Sequence, residues 1–160
     1  MSVNRNPRAC DGVSVMTERR INGFFYGLFM DAGVLRNSNV VATSFRRAYA
    51  SDFALRIGNR ATLVPSAGSR AYGMLIALTH GELDRLYPAP GLDQYRPEAI
   101  LARCMDGGSI PALCYNLPVA PPADERNPGY AARLQQVLRD LEFPAEYVNS
   151  ITDHGQAGRD

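Results

Sequence analysis

Residues 21–30, INGFFYGLFM, decide how this chain folds, because they join an apolar run to a sharp change of direction. The part INGFFYG ends at Gly27 and is typical of a buried strand. The residues that follow, 28–36, have the apolar spacing of a short helix or turn. Glycine lets a ligand approach the backbone closely, and amide groups at such a turn favour an anion such as a carboxylate. A tight turn after a core strand is the simpler interpretation of this segment.

Strand patterns continue downstream of this segment. The predicted strands are 40–49, 53–57, 61–64 and 71–78, with breaks at Ser51-Asp52, Gly58-Asn59 and 65–69. Two further apolar runs, 98–105 and 110–117, flank Asp106-Gly107-Gly108, which is a hairpin signal.

Helix signals lie between and after these strands. Thr79 with Glu82 has the form of a capping box, which predicts a short helix. Asn127 followed by Pro128 predicts the start of a longer helix after a proline-rich linker. Pro144 opens a last helix, for which Gly155 is the predicted stop. Strands first and helices last predict an α+β fold with a mostly antiparallel sheet or a small barrel.

Length and composition limit the class of protein. The chain has 160 residues, of which 46% are hydrophobic and 21% charged, as is typical of one globular domain. Its net charge of +1 argues against a nucleic-acid-binding protein. All 17 basic residues are arginine, so no lysine can act as a base or form a Schiff base. We expect one domain over 21–155, with a flexible arm at 1–20 and a tail at 156–160.

Cysteine usage and apolar runs indicate location. Cys10, Cys104 and Cys114 are an odd set without paired spacing, which favours a reducing compartment. No apolar run is long enough for a membrane span, and the N-terminus is polar where a signal peptide is apolar. The sequence therefore predicts a cytoplasmic protein without membrane contact.

Several kinds of chemistry lack the residues that they need. His80 and His154 are far apart in sequence and neither has a neighbouring ligand at metal-binding spacing. The sequence contains neither GxSxG nor GxGxxG, which argues against a nucleophile-elbow hydrolase and a dinucleotide-binding unit.

Four segments in order carry a resemblance to a known family. They are FFYGLFM at 24–30, ATLVPSAGSRAYGMLIALTHGELDRL at 61–86, QYRPEAILA at 94–102 and NPGYAARLQQVLRDLEFPAEYVNSI at 127–151. Together they resemble the γ-glutamylcyclotransferase-like family. The resemblance implies an α+β fold with a small mixed β-barrel flanked by helices.

The resemblance also implies a reaction on γ-glutamyl amines that needs no cofactor. The free α-amine of the glutamyl unit attacks its own γ-carbonyl, and 5-oxoproline and an amine are released. A carboxylate can serve in turn as the general base and the general acid. The implied substrate-binding residues are Tyr26, Gly27, Leu28, Phe29, Met30, Tyr95 and Tyr130, although ordinary packing also accounts for the tyrosines. Arg36 and Arg96 can bind a carboxylate, but a solvated surface position is the simpler interpretation.

The sequence departs from the family where the catalytic glutamate is expected. When Leu86 is aligned with the family's L-D-x-x-E-G stretch, Tyr87 stands at the aspartate position and Pro90 at the glutamate position. Asp93 is the candidate substitute, ahead of Glu82 in the capping box and Glu98 at a strand edge.

Three functional hypotheses follow from this departure. The first is an active cyclotransferase with a displaced acid and base. The second, which the missing glutamate favours, is a binding module that kept the pocket for a γ-glutamyl amine or 5-oxoproline but lost most or all activity. The third is an assembly role for the proline-rich segment 118–128. For the first two hypotheses we expect the amide groups of Leu28, Phe29 and Met30 to be unpaired and to face a cavity.

Overall fold

The computed structural model describes residues 18–87 and 94–156. Its strands are β1 (Arg20–Phe25), β2 (Phe45–Ile57), β3 (Ala61–Thr79), β4 (Arg96–Cys104), β5 (Ser109–Asn116), β6 (Ile151–Thr152) and β7 (Gly155–Gln156). Its helices are a 3₁₀ turn (Leu28–Met30), α1 (Ala32–Asn37), α2 (His80–Leu86), α3 (Pro128–Asp140) and α4 (Ala145–Ser150). The predicted α+β class is confirmed. Pro90, Asp93 and most of the predicted arm and tail lie outside the described residues, so the domain bounds stay predictions.

The strands form one mixed sheet that closes on itself. Their order is β3-β1-β5-β4-β2-β7-β6, and a further β3–β2 pairing joins the first strand of this order to the fifth. β1 runs parallel to β5, whereas the other pairs are antiparallel. The family resemblance implied a small mixed β-barrel flanked by helices.

Strands β1 to β5 form the closed circuit of the sheet, and each contributes buried side chains to the core. Phe24 of β1, Ala48 of β2, Ile76 of β3, Ala102 of β4 and Cys114 of β5 are each at most 1% exposed. Helix α3 adds a further buried stripe, which includes Leu134 and Leu138. The core therefore depends on every strand of the circuit.

β2 and β3 are longer than predicted, and two of the predicted breaks are wrong. β2 continues through Ser51-Asp52 because a bulge there, with Asp52 at φ 64°, absorbs the irregularity without ending the pairing. The Gly68 N–H donates to the Asp52 side chain at 2.9 Å, which ties the irregular part of β3 to that bulge. Only the break at Gly58-Asn59 is confirmed.

The start of β2 also differs from the prediction. The strand begins at Phe45 and not at Val40. The Val41 N–H donates to the Glu82 carboxylate at 3.0 Å, so this part of the chain is held by α2 and not by a strand ladder.

The predicted helix stop at Gly155 is wrong as well. α4 ends at Ser150, and β6 and β7 form a small hairpin that pairs with β2 through Gly155 opposite Arg56. Gly155 has φ 118°, and a Cβ added there would collide with the Leu55 carbonyl oxygen. Glycine at this position therefore serves close strand pairing and does not cap a helix.

The local helix and turn signals are confirmed. Thr79 and Glu82 form both hydrogen bonds of the capping box at the start of α2. The Asn127 side chain caps α3, and β4 and β5 form the predicted hairpin. Across the described ranges, no helix combines the length and the apolar character that a membrane crossing requires.

Candidate ligand-binding site

The turn after β1 lies against the start of α3. The chain passes from Phe25 through Tyr26 and Gly27 into the 3₁₀ turn. The Asn127 side chain accepts a hydrogen bond from the Tyr130 N–H at 3.1 Å and so places Tyr130 in the first turn of α3. A Cβ added to Gly27 would collide with the Tyr130 hydroxyl oxygen. The two segments that the sequence singled out are therefore neighbours.

The amide groups of Leu28 and Met30 are not unpaired, contrary to the expectation. The Met30 N–H donates to the Gly27 carbonyl oxygen at 3.1 Å, so the prediction of an unpaired amide is wrong for Met30. The reason is that a 3₁₀ turn closes its own hydrogen bond between residues three apart. The Leu28 N–H faces the Tyr130 hydroxyl oxygen. Burial raises the pKa of Tyr130 to about 12, although this N–H and the Arg133 guanidinium lower it, so the hydroxyl keeps its proton at neutral pH.

Tyr26 and Tyr95 meet at the backbone of β3. The Tyr26 hydroxyl donates to the Tyr115 carbonyl oxygen at 2.7 Å and lies 3.4 Å from the Ala61 carbonyl oxygen. The Tyr95 hydroxyl donates to the same Ala61 carbonyl. Burial raises the pKa of both phenols, so they act as hydrogen-bond donors and not as bases at neutral pH.

Aromatic rings form a connected group beside these hydroxyls. Phe25 and Phe29 meet edge to face with centroids 6.3 Å apart, and Phe29 meets Tyr87 in the same way at 5.6 Å. Tyr87 contacts Tyr95 at 5.9 Å and stacks on Tyr115 at 4.2 Å. Tyr87, which the sequence resemblance aligned with an aspartate, is part of this group of rings.

One cavity of about 290 Å³ collects most of the predicted binding residues. It is lined by Phe24, Phe25, Tyr26, Gly27, Leu28, Phe29, Val34, Asn59, Arg60, Ala61, Tyr87, Tyr95, Tyr130 and Arg133. Met30 does not line it and is instead buried in the core.

Two arginines of this cavity, Arg60 and Arg133, were not predicted from the sequence. Arg133 follows Tyr130 by three residues on α3, so helical spacing was an available signal that both lie on one face. Arg60 follows the Gly58-Asn59 turn, where nothing local indicates a pocket. The two arginines that the sequence analysis did consider, Arg36 and Arg96, do not line the cavity.

The carboxylates that the sequence proposed are not among the described lining residues. Glu82 accepts hydrogen bonds from the Thr79 and Val41 amides and from Arg20, which commits it to the structure. Glu98 is exposed on β4, where its carboxylate accepts from the Asn116 side chain at 3.3 Å. Asp93 lies outside the described residues. Nor do the described ranges bring together three or more side chains suited to holding a metal ion.

Comparison with known proteins supports the fold. No protein-family model and no curated protein matches this sequence. A solved structure named gamma-glutamyl cyclotransferase superimposes with a TM-score of 0.71 at 18% identity, covering 88% of this chain and 92% of its own. An uncharacterised protein from Homo sapiens gives a TM-score of 0.70 at 20% identity, covering 89% and 94%. An AIG2-like protein from Mus musculus gives 0.53 at 19% identity, covering 65% and 81%.

The first two structures superimpose on most of this chain, and their fold agrees with the sheet and helices described above. At such identities they concern the fold and not the activity. The chain therefore has the γ-glutamylcyclotransferase-like fold.

Proposed function

We propose that the cavity beside the 26–30 turn binds a γ-glutamyl amine or 5-oxoproline, and that the protein is a binding module with weak or no cyclotransferase activity. The observation that carries this proposal is the meeting of Tyr26, Tyr95 and Tyr130 with Arg60 and Arg133 around one cavity. The two guanidinium groups and the Tyr130 phenol are donors suited to a carboxylate and to a carbonyl oxygen, whereas the Tyr26 and Tyr95 hydroxyls already donate to backbone carbonyls. The proposal keeps the cytoplasmic location and the small-molecule partner expected from the sequence.

The reaction itself makes demands that the described cavity meets only in part. A C–N bond forms between the α-amine and the γ-carbon, and the bond from that carbon to the leaving amine breaks. The α-ammonium must first lose a proton, and the leaving amine must gain one. Holding one molecule in the attacking geometry is the task of the tyrosines and arginines. Proton transfer is the task for which the described lining offers no carboxylate.

The alternative is an active enzyme that uses Asp93 as its acid and base. The observation in its favour is positional, since Tyr87 and Tyr95 on either side of Asp93 in the sequence both line the cavity.

Release of 5-oxoproline and binding of ligands, measured side by side, test both candidates. We expect calorimetry to detect 5-oxoproline binding and a panel of γ-glutamyl amines and peptides to be converted slowly or not at all. General acid–base assistance contributes on the order of 10²–10⁴ in rate, so its loss leaves a slow enzyme. Pro90→Glu, which restores the family residue, is expected to raise the rate only if the backbone at that position accepts the change.

Asp93→Ala separates the two candidates, with Asp84→Ala on the exposed face of α2 as the matched control. Rapid turnover in the wild type that disappears in Asp93→Ala but persists in Asp84→Ala would show that the protein is an active enzyme and not a binding module. Absence of binding for 5-oxoproline and for every γ-glutamyl compound would overturn both.

A further inference from the structure

We infer that the protein has a second binding site, between β3 and α4, for a free α-amino acid with an apolar side chain. The site is a cavity of about 450 Å³, the second cavity, whose walls are the irregular part of β3, Pro144 with α4, and Gln156 of β7. No described residue lines both this cavity and the cavity beside the 26–30 turn. The inference therefore goes beyond the proposed function and does not rest on it.

Hydrogen bonds hold the β3 wall of the second cavity in place. The Gly68 N–H donates to the Asp52 carboxylate at 2.9 Å, which fastens the irregular part of β3 to the bulge of β2. The Gln156 side chain donates to the Arg70 carbonyl oxygen at 3.0 Å and joins β7 to the same wall. These contacts build the wall from three strands.

The α4 wall is held by a ring contact and by side-chain hydrogen bonds from α3. The Tyr147 ring lies on the Tyr72 ring of β3, with centroids 4.9 Å apart. The Gln135 side chain of α3 donates to the Val148 carbonyl oxygen at 3.2 Å and to the Ile151 carbonyl oxygen at 2.9 Å. Both walls of the second cavity are therefore fixed by the fold before any ligand arrives.

Two opposite charges line the second cavity from different walls. Arg70 belongs to β3, and Glu146 lies in the first turn of α4. Both are exposed, and neither charged group forms an ion pair or a hydrogen bond with the rest of the described chain. The Arg70 Cζ lies 4.5 Å from the centre of the Tyr49 ring, a cation–π contact that holds the guanidinium and leaves its N–H groups available.

This pair of charges selects the class of ligand. An anion alone would be attracted by Arg70 and repelled by Glu146, and a cation alone would meet the reverse. A free α-amino acid carries both complementary charges. Its carboxylate accepts hydrogen bonds from the Arg70 guanidinium, and its ammonium donates to the Glu146 carboxylate. Its side chain then lies against the apolar part of the lining, which includes Tyr72 and Pro144.

Titration of the full chain with L-leucine, followed by nitrogen–proton correlation NMR, tests the inference, because it reports both the affinity and the place of binding. We expect the amide signals of Gly68, Arg70 and Tyr147 to shift, and those of Gly27 and Leu28 to stay in place. Two further probes each lack one charge: N-acetyl-L-leucine has no ammonium, and isoamylamine has no carboxylate. Each is expected to bind about 3- to 10-fold more weakly than L-leucine, since the charged groups of the cavity are exposed to water.

Two variants test the assigned contacts by ratios of affinities measured within one protein. Arg70→Gln is expected to remove the preference for L-leucine over isoamylamine, and Glu146→Gln is expected to remove the preference for L-leucine over N-acetyl-L-leucine. Arg139→Gln is the control, because it lies in the last turn of α3 and does not line the second cavity. It is expected to keep both preferences.

Three results would overturn the inference. The first is the absence of any L-leucine-dependent shift at residues 68–72 and 144–150. The second is equal binding of the three probes, or preferences that survive in both variants. The third is loss of L-leucine binding in excess 5-oxoproline, which would place L-leucine in the cavity beside the 26–30 turn. A failure of 5-oxoproline to bind, with L-leucine bound as expected, would contradict only the proposed function.

Discussion

At the scale of single residues, Gly27 lies so close to Tyr130 that a Cβ at position 27 fits only if Tyr130 shifts. An added Cβ would collide with the Tyr130 hydroxyl oxygen but would lie 3.8 Å from its ring carbon Cζ. The hydroxyl alone is therefore the obstacle. The same hydroxyl faces the Leu28 N–H, so it positions the turn while it closes the space beside Gly27.

Gly27→Ala is expected to lower the free energy of unfolding by about 1–3 kcal/mol, the usual cost of overpacking. In the Tyr130→Phe background the same substitution is expected to cost less, since the obstructing oxygen is gone. Urea unfolding of the wild type, both single variants and the double variant measures this coupling. Gly129→Ala is the control, because its Cβ would lie no closer than 3.8 Å to another atom. Equal costs of Gly27→Ala in both backgrounds would show that the hydroxyl is not the obstacle.

At the scale of elements, one carboxylate joins three segments. Glu82 is 6% exposed, completes the capping box of α2, accepts the Val41 N–H and lies 3.4 Å from an Arg20 nitrogen of β1. Burial raises the pKa of Glu82, but the hydrogen bonds from Thr79 and Val41 and the charge of Arg20 outweigh it and hold the pKa below its ordinary value.

A lowered pKa in the folded state gives a stabilisation that is present above the unfolded pKa of about 4.3 and is lost as the pH falls through the folded value. We therefore expect the free energy of unfolding to decrease below about pH 4.3. Glu82→Gln is expected to make this decrease shallower and to cost about 1–3 kcal/mol at pH 7, since one buried amide loses its acceptor. Chemical unfolding between pH 3 and 7 checks both effects, with the exposed Glu146→Gln as control. An unchanged pH dependence in Glu82→Gln would contradict this role.

The proline-rich segment is another element with contacts of its own. Pro121 packs beside Gly58, the Pro122 carbonyl accepts from Arg56 at 2.9 Å, and Glu125 accepts the Asn59 N–H at 3.0 Å. These contacts hold it on the turn between β2 and β3. Its proposed role in assembly stays a prediction.

At the scale of the whole molecule, β2 holds the closed circuit and the last hairpin together. It pairs with β3, β4 and β7. The contact with β7 requires Gly155, whose Cβ would lie 2.9 Å from the Arg56 Cα. Gly68 also has a positive φ, 80°, but a Cβ there would meet nothing within 4 Å.

Substituting these two glycines separates the energetic cost of backbone strain from the cost of overpacking. Gly68→Ala is expected to cost about 1–2 kcal/mol, the conformational cost of a left-handed alanine. Gly155→Ala is expected to cost more, because about 1–3 kcal/mol of overpacking is added and β7 is displaced from β2. Thermal and urea unfolding measure the difference, and amide hydrogen exchange at Ile57, whose N–H donates to the His154 carbonyl at 2.6 Å, reports loss of the hairpin. Equal costs at both positions would show that the pairing at Gly155 is not tight.

Features that depend only on neighbouring residues could be predicted from the amino-acid sequence. The capping box of Thr79 and Glu82, the Asn127 cap and the hairpin at Asp106-Gly107-Gly108 each need only a few adjacent side chains, and all three are present. The α+β class follows from the same local patterns.

The closure of the sheet and the lining of the cavity depend on long-range packing and could not be predicted from the sequence. The β3–β2 pairing carries both strands through turn-like residues, because a ladder on both sides of a bulge outweighs local turn preference. Arg60 and Tyr87 enter the cavity through the packing of distant segments, which no local pattern records. The Met30 N–H is not available to a ligand because it donates to the Gly27 carbonyl oxygen within the turn. Hydrogen bonds and cavities between residues far apart in the chain arise only when the molecule packs. This candidate site consists of such contacts.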